Sequence, residues 1–298
     1  METNGVSVVI PTARIGSRAL KSLESIALSL DLFSGNKELI IAVDRNFMVN
    51  DFLLDFASNY NFVKLLKIGG GHGSAFTRFQ ALSKAQYSVV IFTDDDCLVP
   101  LDWINKMFAE VTKYGMVAGN LAAFNERNVY SLVDAYVDQL RIKSVDADGY
   151  AKYISFPNFG IKQTYLPSLP FLATALNTTE DIDLACRLRL AGRKIYFAES
   201  LLIITEYPET FSGLLKRKVK HAQGIAFLRA GLENEKLRYL GLAETPWRML
   251  RRWSVLSFKA PLKLIPRIIM FLANLAYCVA LAYYDNKFGK NFANKKKS

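Results

Sequence analysis

SVVIFTDDD, residues 88–96, is an apolar, β-branched run that ends on three consecutive carboxylates. Its first six residues read as a buried strand, and the acids follow where that strand stops. Three earlier runs have the same character: VSVVIP at 6–11, ELIIAVD at 38–44 and VKLLKI at 63–68. Between them Leu20, Leu23, Ile26, Ala27 and Leu30 recur at helical spacing across 17–30, and 51–58 and 74–85 also suit helices. Strands alternating with helices imply an α/β fold, a Rossmann-like and mostly parallel sheet with helices on both faces. Ligands of such sheets collect at the carboxyl ends of the strands. Three of those ends bring Pro11 and Thr12, then Asp44, then Asp94, Asp95 and Asp96.

Farther along, 101–113 and 128–143 read as helices and MVAGNLAAF as a strand. Residues 144–178 look irregular. A helix at 180–191, a turn at Gly192 and a strand KIYFA at 194–198 follow. No internal repeat is evident.

A chain of 298 residues, 51% of them hydrophobic, is long and apolar enough to bury a full-sized core, which excludes a disordered protein. The net charge of +11 is unevenly spread: residues 212–298 hold 18 Lys and Arg against 4 Asp and Glu. Nucleic acid and an anionic membrane surface are the two partners that such a tail suits. Here the basic residues alternate with Trp, Leu, Ile and Phe, which favours the membrane and argues against nucleic acid. Cys97, Cys186 and Cys278 have no paired spacing and read as buried thiols of a reducing compartment. The opening METNGVSVVIPT shows no charged leader with a long apolar run, so no signal peptide is expected.

The character changes near residue 212. Residues 213–230 suit a basic helix. In 246–259, Arg248, Arg251, Arg252 and Lys259 share one helical face, with Trp247, Leu250, Trp253 and Leu256 on another, the pattern of a helix lying in a lipid interface. Residues 264–284 then supply a mostly apolar stretch of about 30 Å as a helix, enough to cross a bilayer, although a core helix has the same signature. Lysines flank both ends, so charge selects no orientation. The expected division is 1–225 for the α/β domain and 226–298 for a membrane-associating helical region.

Two segments carry chemistry. Three crowded carboxylates at 94–96 repel one another unless a positive partner shares their pocket. Mg²⁺ characteristically takes one or two carboxylates together with substrate phosphates, whereas a solvated acidic turn needs no ion at all. In TTEDIDLACRLRLAG, 178–192, Thr178 or Thr179 can cap a helix whose first turn holds Glu180, Asp181 and Asp183. That accounts for the acids without function. A carboxylate at such a helix mouth is equally placed to take a proton from a bound hydroxyl.

Taken together, the SVVIPT strand, the Asp after the second strand, the Gly-rich stretch before the acidic triplet and EDxDLxxRLxxxG some way downstream resemble the family-2 glycosyltransferases of the GT-A fold. The resemblance covers roughly 5–225. It implies that Pro11, Thr12 and Arg14 line a nucleotide pocket, that Asp44 meets the base, and that Arg78 approaches the base or phosphates. Asp94 and Asp96 match the outer acids of the DxD motif, on the ribose and on Mg²⁺ or Mn²⁺, with Asp95 on the nucleotide-sugar side. Asp181 matches the general base, with Glu180 beside it. The implied reaction is one inverting transfer from a UDP- or GDP-type sugar to a glycan or lipid-linked acceptor at the cytoplasmic face of a membrane.

The pattern also departs from the family. Thr179 replaces its small residue before the acidic pair, Phe79 and Ala81 replace its Asn and Gly after the arginine, and ITEYPET lacks its histidine, with Glu206 nearest. KRKVKHAQG has no tryptophan, so the QxxRW motif of processive synthases is missing and a single sugar per acceptor is expected. Two other readings remain open: a sugar nucleotidyltransferase, for which PTARIGSR is a poor loop, and an inactive scaffold that keeps the fold. GGGHG at 69–73 lacks the Lys-Ser/Thr of a P-loop and reads as a permissive turn, with His72 a loop residue. The aromatics of 150–171 suit either sugar stacking or packing.

Overall fold

A computed structural model describes residues 3–13, 17–44, 51–166 and 179–295. Four strands, β1 (Thr3–Thr12), β2 (Lys37–Val43), β3 (Val63–Lys67) and β4 (Tyr87–Phe92), pair in parallel in the order β3-β2-β1-β4. Helices α1 (Ser17–Asp31), α2 (Asp51–Ser58) and α3 (Ser74–Leu82) lie between them in the chain. The continuous apolar runs have a physical reason: both faces of the sheet are covered. Val8, Ile10, Leu39, Ile41 and Ile91 enter one core with Leu23, Ile26 and Leu30 of α1, while Val9, Ile40, Val90 and Phe92 enter a second.

Register does the positioning. Thr12 pairs with Val43 and Val9 with Phe92, so β1, β2 and β4 finish at one edge of the sheet. Thr12, Asp44 and the triplet are therefore brought together by strand length alone.

The rest of the chain adds β5 (Cys97–Leu98), α4 (Trp103–Tyr114), β6 (Met116–Ala123), α5 (Val129–Ile142), β7 (Phe159–Lys162), α6 (Glu180–Leu190) and β8 (Tyr196–Thr205). The full order is β3-β2-β1-β4-β7-β6-β8-β5, with β7 antiparallel to both β4 and β6, and β5 antiparallel to β8. The sheet is mixed beyond β4. β7 falls in the stretch expected to be irregular, and β8 runs to Thr205 rather than ending at 198. Gly160 of β7 lets α4 approach closely, since a Cβ there would stand 2.6 Å from the Cγ2 of Val111. Asn158, fully buried, accepts from the Trp103 indole at 3.0 Å and donates to the carbonyls of Asn120 in β6 and Leu201 in β8.

α7 (Phe211–Gly231), α8 (Asn234–Leu240), α9 (Pro246–Lys259) and α10 (Leu264–Lys295) complete the chain. Its contacts divide it into two compact units, Met1–Ala122 with Gln139–Thr205, and Ala123–Asp138 with Glu206–Ser298. The first part of α5 belongs to the second unit, where its acids meet α7. Asp134 lies 2.6 Å from Lys218 and 3.3 Å from Arg217, and Asp138 lies 2.8 Å from Arg217. Two of the basic charges of α7 are thus partnered inside the protein. In α9 the expected lipid face is split. Trp253 packs 5.3 Å from the ring of Tyr277 in α10, whereas Trp247 and Leu256 are exposed.

Candidate active site

A cavity of about 250 Å³ opens where the parallel strands end, lined by Pro11, Thr12, Asp44, Arg78, all three acids of the triplet and Glu180. Ala13, Ser74 and Thr77 complete it. Every described residue expected in the nucleotide and metal pocket lines this one space. Arg14 lies outside the described residues. Asp181 is not among the lining side chains, although its neighbour Glu180 is.

The Gly-rich stretch is shaped around Asp44. Gly69, Gly70, Gly71 and Gly73 all have φ between 69° and 90°, which an L side chain rarely adopts, and this turns the chain back over the end of β2. The turn delivers two backbone amides to one carboxylate. His72 N donates to Asp44 Oδ1 at 2.9 Å, and Gly73 N donates to Oδ2. Asp44 therefore organises the loop that forms one wall. His72 itself is exposed and its ring lies 4.6 Å from Phe76.

α3 begins directly after this loop, so Ser74 and Arg78, four residues apart, share a face. Both reach Glu180: Ser74 Oγ donates at 3.0 Å and an Arg78 guanidinium nitrogen at 2.7 Å. The other terminal nitrogen of Arg78 donates to Asp94 Oδ1 at 2.5 Å, and the guanidinium sits 4.4 Å from the Phe156 ring. Arg78 is 2% exposed. Burial alone would lower its pKa, but the charges of Asp94 and then Glu180 more than offset this and raise it above the ordinary value. Arg78 thus lines the cavity and also braces the triplet against the acidic pair.

The three aspartates point to different partners. Asp94 is held by Arg78, Asp95 Oδ2 accepts from Thr12 Oγ1, and Asp96 Oδ1 accepts from Thr205 Oγ1 at 3.3 Å. Among the described residues, no group of three or more His, Cys, Asp or Glu forms a ready cage for an ion. The donor set still suits Mg²⁺ or Mn²⁺, which needs only one or two carboxylates when diphosphate oxygens supply the rest. The buried Thr77 hydroxyl, which lines the cavity, has no hydrogen-bond partner among the described residues and fits an incoming polar ligand. Cys97 is buried directly beside the triplet. Burial, and then the charges of Asp96 and Asp94, hold its pKa well above the ordinary value, and its thiol donates weakly to Asp96 at 3.6 Å.

Glu180 and Asp181 open α6, where the positive end of the helix dipole favours carboxylates. Asp181 Oδ1 accepts from the amide of Ile182 at 2.8 Å, and Arg141 lies 3.6 Å from Oδ2. The N-cap of α6 differs from expectation. Thr179 makes no side-chain cap and stands at φ 61°, a left-handed conformation that is strained for a β-branched residue, and Thr178 lies outside the described residues. Among described residues it is the one non-glycine with positive φ.

Several partners in the site go beyond the sequence motifs. Ser74 and Thr77 had a signal in their helical spacing beside Arg78. Thr205 had none, because only the pairing of β5 with β8 brings it to the triplet. Of the departures from the family pattern, Ala81 is a core residue of the second cluster and Phe79 packs half-buried against it. Phe156 and Phe159 are buried with ring centroids 5.0 and 6.0 Å from Phe92, so these two aromatics serve packing rather than sugar stacking.

Comparison with known proteins agrees with this fold. The poly-β-1,6-N-acetyl-D-glucosamine synthase of Staphylococcus epidermidis is 25% identical over 232 residues, covering 75% of this chain and 55% of that protein. The synthase of the same name from S. aureus strain COL is 27% identical over 194 residues, or 63% of this chain and 43% of its own. The chain thus spans about half the length of the curated relatives it matches. Among solved structures, a mannosyltransferase from Pyrobaculum calidifontis in complex with GDP-Man and Mn²⁺ has the same fold, with TM-score 0.67 at 15% identity over 94% of this chain and 86% of that one. S. aureus TarS 1–349 in complex with UDP-GlcNAc aligns with TM-score 0.57 at 15% identity, covering 98% and 92%. The profile of glycosyltransferase like family 2 matches residues 4–224, and the chain belongs to that family of glycosyltransferases.

Proposed function

We propose that this glycosyltransferase moves a single sugar from a nucleotide-diphosphate sugar to a hydroxyl of a glycan or lipid-linked acceptor, with inversion, at the cytoplasmic face of a membrane. The observation that carries the reading is the cavity at the ends of β1, β2 and β4, in which Thr12, Asp44 and the triplet meet. The nucleoside occupies the side of Pro11, Thr12 and Asp44, and the diphosphate lies toward Asp94 and Asp96. These two carboxylates would hold Mg²⁺ or Mn²⁺, which would supply neutralising charge to the departing diphosphate.

Asp181 takes the proton of the acceptor hydroxyl as its oxygen bonds to the anomeric carbon. The bond from that carbon to the diphosphate oxygen breaks in the same step, so configuration inverts. Arg78 keeps Glu180 and Asp94 in fixed relative position, which sets the geometry between base and donor. The solved neighbours with GDP-Man and with UDP-GlcNAc support a donor of one of these two nucleotide types.

The test is a panel of UDP- and GDP-sugars with and without Mn²⁺, read by thermal unfolding. A ligand bound only by the folded protein raises the melting temperature, by about 2.7 kcal/mol of stabilisation at a hundredfold excess over Kd. One nucleotide series should stabilise the protein only when the ion is present. No stabilisation by any member, with or without Mn²⁺, contradicts the reading.

A further inference from the structure

The second unit holds the long apolar helix α10, whose segment Leu264–Gly289 has the length and composition to cross a membrane. We infer that α10 lies along an anionic bilayer surface, with one apolar stripe in the headgroup boundary, and does not span it. This rests on the membrane reading above and fixes its geometry.

The first observation is what α10 packs against. Met270 and Ala273 share a core cluster with Leu214 of α7, and farther along Arg229 of α7 pairs with Asp285 at 2.7 Å. The Phe227 and Phe288 rings meet at 5.7 Å. The two helices therefore run side by side over roughly 15 residues, or about 22 Å. Over that length α7 carries Lys216, Arg217, Lys218, Lys220 and Arg229. A spanning α10 would take these charges to bilayer depth. Each basic residue there is strongly disfavoured, and α10 would bring Asp285 as well.

The second observation is that α10 has two faces. Met270, Ala273, Asn274, Tyr277, Cys278 and Leu281 are buried. On the opposite side Ile265, Ile268, Leu272, Val279 and Tyr283 are exposed by 40% or more. Successive members of that stripe are three, four or seven residues apart, with one further step of four, so they form one line along the helix. A helix surrounded by lipid needs apolar side chains all round, whereas one lying in the interface needs a single stripe.

The third observation is charge. α9 exposes Trp247, Val255 and Phe258 next to Arg248, Arg252 and Lys259, and Lys263 follows before α10 begins. Phe258 meets Phe271 of α10 at 5.8 Å, so the two helices are joined at that end. Apolar residues bordered by Arg and Lys match an anionic lipid surface.

The full-length protein is tested by flotation with vesicles of phosphatidylglycerol and phosphatidylcholine, and with phosphatidylcholine alone, followed by alkaline carbonate washing. Binding is expected only with the anionic lipid, with release by carbonate. Replacing Arg248, Arg252 and Lys259 by Ala should weaken it about fivefold per charge. Ile265→Glu with Leu272→Glu should abolish it while circular dichroism stays unchanged. Retention after carbonate overturns the in-plane geometry but keeps the membrane reading. Absence of binding to either vesicle overturns both. If the protein self-associates without lipid and the Glu variants are monomeric, the stripe is an interface between copies and the inference fails.

Discussion

Asp181→Asn is expected to lower kcat by about 10²–10⁴-fold, the usual worth of a positioned general base. Donor affinity should stay nearly unchanged, because the cavity lining does not include Asp181. Asn is close in shape and can still accept from the Ile182 amide, so the start of α6 should persist. Glu180→Gln is the informative comparison. Glu180 is bound to Ser74 and Arg78, so that change should act on stability more than on proton transfer. Steady-state kinetics with donor and acceptor varied separately distinguishes the two, and near-normal turnover by Asp181→Asn removes it as the base.

The second large effect concerns Arg78. Replacing it by Met leaves Glu180 and Asp94 as neighbouring carboxylates without their shared cation, and loss of one partner from a buried pair costs about 3–5 kcal/mol. Denaturant unfolding should show a loss of that size. Arg78→Lys should not restore stability, since a single ammonium cannot reach both acids in the fork geometry of guanidinium. Adding Glu180→Gln to Arg78→Met should recover part of the loss by removing one stranded charge. A change below about 1 kcal/mol for Arg78→Met would show that the brace carries little energy.

The parallel half of the sheet was legible because β1, β2 and β4 are continuous β-branched runs, as strands covered on both faces must be. Their carboxyl ends carry Thr12, Asp44 and the triplet, which the sequence alone locates. β7 was not legible. It has four residues, one of them Gly160, and it belongs to the sheet only through antiparallel neighbours distant in sequence. The second half of β8 is hidden in the sequence because ESLLIIT alternates buried and exposed residues at Leu201, Leu202, Ile203 and Ile204, a different pattern from the buried strands before it.

Within the site, residue types were legible and their partners were not. Nothing local says that Arg78 turns toward Glu180, 102 residues away, or that Asp44 takes the amides of His72 and Gly73. The basic character of 213–230 is likewise plain, while the pairing of Arg217 and Lys218 with Asp134 and Asp138 depends on a helix some 80 residues earlier. Long-range charge pairing of this kind leaves no periodic trace.

The claim on which this account depends is that the carboxylates at the end of β4 share their cavity with a diphosphate and a divalent ion. Calorimetric titration of UDP and of GDP into the protein, with and without Mn²⁺, tests it most directly. The account predicts one-to-one binding of one nucleotide that requires the ion and is lost in Asp96→Asn. Failure of both nucleotides to bind in the presence of Mn²⁺, or equal binding by Asp96→Asn, contradicts it.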